Sequence, residues 1–224
     1  MATHDKTSSR ACLPSSIRTM SDLIPILLAA GASSRMGRPK ALLDFDGRPT
    51  LQLALEAVQG HGTPIVVLGP NHFDIREKVP LGKVRVMLNL NPDTGQTASL
   101  QAALSILPKN AEAFFFMPVD FPLVSAADVT RLVDAYRAER DPEKKIFVPS
   151  HGMKRGHPIL CRRELAPEFL ALREGASARE VVNRVNSRVA HVIYSEAYVL
   201  MDMDTPEDYR RCLEAWRARN ARNP

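Results

Sequence analysis

The sequence predicts an α/β fold, a doubly wound and mostly parallel sheet with helices on both faces. Short apolar runs bounded by turn residues alternate with amphipathic segments, the pattern of a parallel sheet covered by crossover helices. The loop that leaves the first apolar run is built of small residues, and in an open α/β sheet the loops at the carboxyl ends of the strands hold ligands. The chain of 224 residues is 45% hydrophobic and 25% charged, an ordinary globular composition that excludes disordered, collagen-like and disulfide-framework proteins.

Residues 1–22 mix Ser, Thr, Arg and Asp without an apolar centre, so they are expected to be a disordered tail rather than a secretory signal. Ordered patterning starts at Leu23, which makes Met20 a candidate start; a transit-like presequence is the lesser alternative. Strands are expected at Ile24–Leu28, Ile65–Leu68, Val84–Leu88 and Ala113–Met117. Leu51, Leu55 and Val58 recur at helical spacing between the first two, and Leu100, Ala103, Leu104 and Leu107 do so between the last two. Ser125 is a helix N-cap, with Val129, Leu132, Val133 and Tyr136 as the buried stripe of a helix that stops before Pro142. Ile146–Val148 and Ile159–Leu160 read as short strands around a polar loop, Ser150–Gly156, that forms a hairpin or lid. A helix through Ala178–Val185, strands at Val189–Tyr194 and Tyr198–Leu200, and a last helix from Thr205 complete the chain. No repeat or linker interrupts the pattern, so residues 23–224 are expected to form a single domain.

No apolar run reaches the roughly 20 residues needed to cross a bilayer. Cys12, Cys161 and Cys212 show no paired spacing, which fits a reducing cytoplasm better than disulfides or a thiolate zinc site. The net charge of +5 is scattered, aromatic content is 6%, and no nucleic-acid recognition motif is present. An anionic small-molecule substrate accounts for that charge equally well.

The chemistry concentrates in Leu28–Lys40. The small residues Ala29, Ala30, Gly31 and Ala32 let the backbone approach a ligand, successive N–H groups can form an anion nest, and Arg35 and Lys40 supply countercharge. Read alone, the segment is equally a glycine turn with two solvated cations. A P-loop is excluded, because five residues separate Gly31 from Gly37 and Arg38 and Pro39 precede Lys40. A dinucleotide fingerprint is excluded too: the second strand ends in Leu68-Gly69-Pro70, without its acidic residue. Asp120, between Pro118 and Pro122 after the fourth strand, has the residue type of a turn or a hard oxygen ligand. Gln96 and Ser99 sit at a helix start, and His157 between Gly156 and Pro158 can contact a phosphate or pack under the lid. Asp202 and Asp204, two apart, share a face if the preceding strand continues; Asp204 is the better candidate cap of the last helix, with Thr205 the alternative.

The run Leu-Ala-Ala-Gly-x-Ser-x-Arg-Met-Gly-x-x-Lys at 28–40 resembles, at every specified position, the signature of Rossmann-like nucleotidyltransferases. More narrowly the chain is similar to the molybdenum cofactor cytidylyltransferase-like branch of the MobA-like NTP transferases over about residues 24 to 215. Asn91-Pro92-Asp93 with Gly95–Leu100, Met117–Pro122, Arg155-Gly156-His157-Pro158 and Asp202–Asp208 resemble its later segments in order; Val119 departs from the Gly of many relatives. The resemblance implies transfer of CMP from CTP to molybdenum-bound molybdopterin with release of pyrophosphate, in the cytoplasm. It implies Leu28, Ala29, Ala30, Gly31, Arg35, Lys40, Gln96 and Ser99 as nucleotide contacts, and Arg155, Gly156 and His157 as acceptor contacts. Arg35, Lys40 and Asp120 become the catalytic residues, and Asp120 with Asp202 or Asp204 the Mg2+ ligands. The implied protein partner is a molybdoenzyme or cofactor-insertion protein, with no nucleic acid and no membrane. Two alternatives stay open: the same chemistry on another acceptor such as a sugar phosphate, and a non-catalytic chaperone for the pterin cofactor.

Overall fold

The computed structural model describes residues 23–31, 33–91 and 95–222. The expected tail, Ala32 of the small-residue loop and Pro92-Asp93 of the Asn-Pro segment lie outside the described residues. An eight-stranded sheet organises the chain, with β1 (Leu23–Ala29) in its interior. On one side of β1 lie β4 (Ile65–Leu68) and β5 (Arg85–Leu88), on the other β6 (Ala113–Pro118), all parallel to it. β9 (Ile159–Arg162) follows β6 antiparallel, then β7 (Ile146–His151), and β10 (Val189–Ile193) closes the edge parallel to β7. The central strands read as unbroken apolar runs because both faces are covered.

Period two along β1 divides the core. Leu23, Leu27 and Ala29 pack with α1 (Thr50–Ala57) and α4 (Ala126–Ala138), while Ile24, Ile26 and Leu28 pack with α3 (Gly95–Ser105), α5 (Ala166–Leu170) and α6 (Arg179–Asn183). Pro25 is tolerated in this central strand because the β4 ladder starts only at Ile26, where the missing N–H no longer matters to it. A third, smaller core joins the hairpin β2 (Asp44–Phe45) and β3 (Arg48–Pro49) to α7 (Pro206–Arg222): Phe45 meets Tyr209 and Trp216 edge to face, with Met203 and Cys212 fully buried beside them.

Ser125 caps α4 as expected, in a capping box with Asp128. The expected lid is a hairpin in which β8 (Lys154–Arg155) turns back onto Ser150 and His151 of β7. Three expectations are corrected. Residues 197–200 form a 3-10 turn rather than a strand, because the Val199 carbonyl is taken by the His157 N–H at 3.0 Å instead of by a ladder. The helix expected over 178–185 is confined to the single turn of α6, flanked by a 3-10 turn at Asn186–Arg188. The last helix is capped by Thr205, whose hydroxyl accepts the Asp208 N–H at 3.2 Å, and not by Asp204.

Candidate active site

β1, β4 and β6 are parallel, so their carboxyl ends converge on one edge of the sheet, and there a pocket of about 230 Å3 opens. Leu28, Ala29, Ala30 and Gly31 form one wall, Gln96 and Ser99 at the start of α3 another, and Arg35, Lys40, Asp120 and Asp204 the base. Ser99 is buried and its hydroxyl accepts from Asn89 Nδ2 at 3.0 Å, which orients it from the end of β5.

Three chain segments bring the charged residues together. Lys40 follows a turn closed by Ser33, whose hydroxyl accepts the Lys40 backbone N–H at 2.9 Å. Asp120 follows β6, which is tied to β1 through the Val119 N–H and the Leu28 carbonyl at 3.1 Å. Asp204 is placed by Met203, which is sunk in the third core and donates its N–H to the Asp120 carbonyl at 3.0 Å. The Lys40 ammonium consequently lies between two carboxylates, 3.0 Å from Asp120 Oδ2 and 2.7 Å from Asp204 Oδ1, and Arg35 approaches Asp204 Oδ2 at 3.3 Å. With its carboxylate engaged by two cations, Asp204 is not free to cap α7. Asp202 stands outside the pocket lining, although its charge reaches Asp120; the strand that would align the two aspartates is absent.

Burial dominates the ionisation of Asp120 and raises its pKa, against the pull of Lys40 and with a further push from the charges of Asp202 and Asp204. Burial also works against the Lys40 ammonium, but Asp120 and the hydrogen bond to Asp204 more than offset it and hold Lys40 above its ordinary value. The Lys40 hydrogen bond in turn holds Asp204 below the usual carboxylate range.

Asp120 Oδ1 is buried without a hydrogen-bond partner. A buried carboxylate oxygen without a partner, on a residue that lines the pocket beside a second carboxylate, Asp204, is a suitable ligand for a hard divalent cation. Among the described residues, no group of three or more His, Cys, Asp or Glu side chains forms a metal site. The fit is therefore to a cation that takes one or two carboxylates here and completes its shell with phosphate oxygens and water.

A second cavity of about 990 Å3 adjoins the first and shares Leu28, Gly95, Gln96 and Pro118 with it. Arg155, Gly156 and His157, the expected acceptor contacts, are among its lining residues. The His157 ring packs against Phe121 in a tilted arrangement, centroids 4.4 Å apart, and burial together with the Arg179 charge pulls its pKa down to about 4, so it is a neutral imidazole near pH 7. Gly156 is required by packing: a Cβ there would stand 2.2 Å from the Val199 carbonyl oxygen.

Sequence reasoning missed the wall supplied by Gly69, Asn71 and Ile75. A Cβ on Gly69 would lie 2.5 Å from the Ala30 carbonyl oxygen, so glycine lets the β4 end pass close to the ligand loop. The available signal was position, since Leu68-Gly69-Pro70 leaves the strand beside β1. Arg179, Asn183 and Asn186 around the second cavity were also missed; exposed polar residues on two short helical turns carry no pattern.

Comparison with known proteins identifies relatives of this chain. The profile of the MobA-like NTP transferase domain matches residues 25–191. A molybdenum cofactor cytidylyltransferase of Escherichia coli is 25% identical over 85% of this chain and 95% of its own length. A molybdenum cofactor guanylyltransferase of Xanthomonas euvesicatoria is 32% identical over 48% of this chain, which spans only about half, 52%, of that relative. Among solved structures, the Rv0371c protein of Mycobacterium tuberculosis in complex with manganese superposes with a TM-score of 0.73 at 25% identity, covering 87% of this chain and 100% of that one. With three quarters of the chain inside the matched profile and the signature residues gathered at one sheet edge, the chain belongs to the MobA-like NTP transferase family.

Proposed function

We propose that this protein is a cytoplasmic, Mg2+-dependent nucleotidyltransferase that moves CMP from CTP to the phosphate of molybdenum-bound molybdopterin and releases pyrophosphate. The observation that carries the reading is the Lys40 ammonium held between Asp120 and Asp204, with Asp120 Oδ1 unpartnered, beside the Ala29–Gly31 loop. An acceptor phosphate oxygen bonds to the α-phosphorus as the bond from that phosphorus to the β-phosphate bridge breaks, so no protein nucleophile is needed. The demand on the protein is positioning and charge stabilisation.

The loop Leu28–Gly31 admits the triphosphate, and Lys40 and Arg35 offset its charge. Gln96 and Ser99 read the base and ribose. Asp120 with Asp204 would hold Mg2+, Asp202 being the alternative second ligand. When bound, that ion neutralises and aligns the reacting phosphates. The manganese complex of the mycobacterial neighbour supports divalent-cation use. CTP is favoured over GTP by the near full-length alignment with the Escherichia coli cytidylyltransferase. In the second cavity Arg155, Gly156 and His157 face the acceptor, His157 as a neutral ring packed against Phe121. The finished dinucleotide cofactor would pass to a molybdoenzyme or insertion partner.

The test is incubation of the protein with Mg2+ and each of the four nucleoside triphosphates, with and without molybdenum-bound molybdopterin, measuring pyrophosphate and the nucleotide product. Pyrophosphate from CTP in the presence of the pterin alone is the expected result. Product with GTP would reverse the base assignment, product with a sugar phosphate instead would move the acceptor, and CTP binding without pyrophosphate under any condition would contradict the enzyme reading.

A further inference from the structure

The second cavity has an unusual charge balance. Lys154, Arg155 and Arg179 line it, and among the described residues no Asp or Glu does. Several arginines elsewhere are paired with carboxylates: Arg48 with Glu56, Arg188 with Glu168, Arg217 with Asp46 and Arg219 with Asp128. Arg155 is held differently. Its Nη1 donates to Asn183 Oδ1 and its Nη2 to Asn186 Oδ1 at 3.1 Å, so two uncharged amides from α6 and the following turn fix both ends of the guanidinium. An amide oxygen orients a guanidinium as a carboxylate would, yet leaves its charge intact. Of the five N–H donors of a guanidinium, two are taken by these amides and the others are left for a ligand.

We propose that Asn183 and Asn186 are positioning residues that hold Arg155, charged and preorganised, over this cavity to take an anionic group of the acceptor, with Arg179 as the second cation of that site. The inference rests on reading this cavity as the acceptor pocket. Fixing the long Arg155 side chain before the ligand arrives lowers the ordering cost of binding. His157, neutral and packed against Phe121, adds shape without charge, so the anion is met by the guanidinium groups.

The replacement Asn183→Asp with Asn186→Asp separates positioning from mere structure, because two carboxylates would hold Arg155 at least as firmly while cancelling its charge. Inorganic phosphate is the probe, followed through the Arg155 Nε–H resonance, itself assigned by its loss in Arg155→Lys. Saturable movement of that resonance is expected in the wild type. In the double variant the apparent affinity is expected to fall by about ten-fold or more, with the melting temperature unchanged or raised. In turnover assays the KM for molybdenum-bound molybdopterin is expected to rise by a similar factor, about ten-fold, with the KM for CTP held. Arg179→Gln should weaken phosphate binding without lowering the melting temperature. A resonance that ignores phosphate in the wild type, or responds equally in the double variant, overturns the proposal. If wild-type protein makes no product from the pterin, the functional reading fails while the phosphate titration still decides the role of the two asparagines.

Discussion

Replacing Lys40 by Met tests the charge arrangement at the centre of the site. Methionine keeps the length of the side chain and removes the ammonium, leaving Asp120 Oδ2 as unpartnered as Oδ1 already is. The two side chains are 18% and 9% exposed, whereas Asp204 is 43% exposed, so water can replace the lost contact at Asp204 but not at Asp120. Stripping one partner from a buried pair costs about 3–5 kcal/mol, and the slight exposure of Lys40 argues for the low end, about 3 kcal/mol. For a chain of this size that corresponds to a fall in Tm of about 6–12 °C. Asp120→Asn should be far milder, because Lys40 keeps Asp204 and a buried charge disappears. The sign with pH follows from Asp120, whose native pKa already lies above its unfolded value and rises further without Lys40. A carboxyl raised in this way destabilises the fold above its unfolded pKa, and the penalty fades as the pH falls through its native pKa. The Lys40→Met deficit should therefore shrink on acidification from neutral pH. Thermal and urea denaturation of the two single variants and the double variant give the measurement. Equal losses for both single variants, or a Lys40→Met loss below about 1 kcal/mol, would refute the reasoning.

Gly69→Ala places a Cβ 2.5 Å from the Ala30 carbonyl oxygen, so the ligand loop must move; a loss of about 1–3 kcal/mol in denaturation and weaker CTP binding by calorimetry are expected. In the pH profile of kcat/KM, the acid limb should lie above the ordinary carboxylate value of about 3.9, because Asp120 must ionise against its burial. Lys40, held above its usual value, should leave the profile flat through neutral pH, and a limb near the ordinary carboxylate value would contradict the assignment of Asp120. Thr205→Ala should lower stability by about 1 kcal/mol through loss of the α7 cap, and Thr205→Ser should restore it; equal Tm values for wild type and the alanine variant would show that Thr205 does not cap.

The main architecture was legible because its central strands are buried on both faces and its longer helices carry apolar stripes. β1, β4 and β6 read as apolar runs, and Val129, Leu132, Val133 and Tyr136 marked α4. What escaped was short. The hairpin Asp44–Pro49 has two residues per strand, α2 (His72–Lys78) buries Ile75 from a mostly exposed turn, and neither length supports a period. Residues 198–200 have strand-forming side chains, but tertiary hydrogen bonding to His157 decided their conformation.

At the site, the motif residues were legible one by one and their mutual contacts were not. Lys40 meets partners 80 and 164 positions away, and no local spacing encodes that meeting. It depends on Met203, a core residue between two aspartates, which pins the segment that presents Asp204. The ambiguity over helix capping had the same origin: Asp204 and Thr205 are both good caps in isolation, and the choice was made by cations delivered from another part of the chain.

The most direct test of the account is pyrophosphate release by Asp120→Ala with CTP, Mg2+ and molybdenum-bound molybdopterin, with circular dichroism and Tm recorded on the same preparation. The account predicts a folded protein whose turnover falls by at least about a hundred-fold. A folded Asp120→Ala protein turning over at the wild-type rate would contradict it.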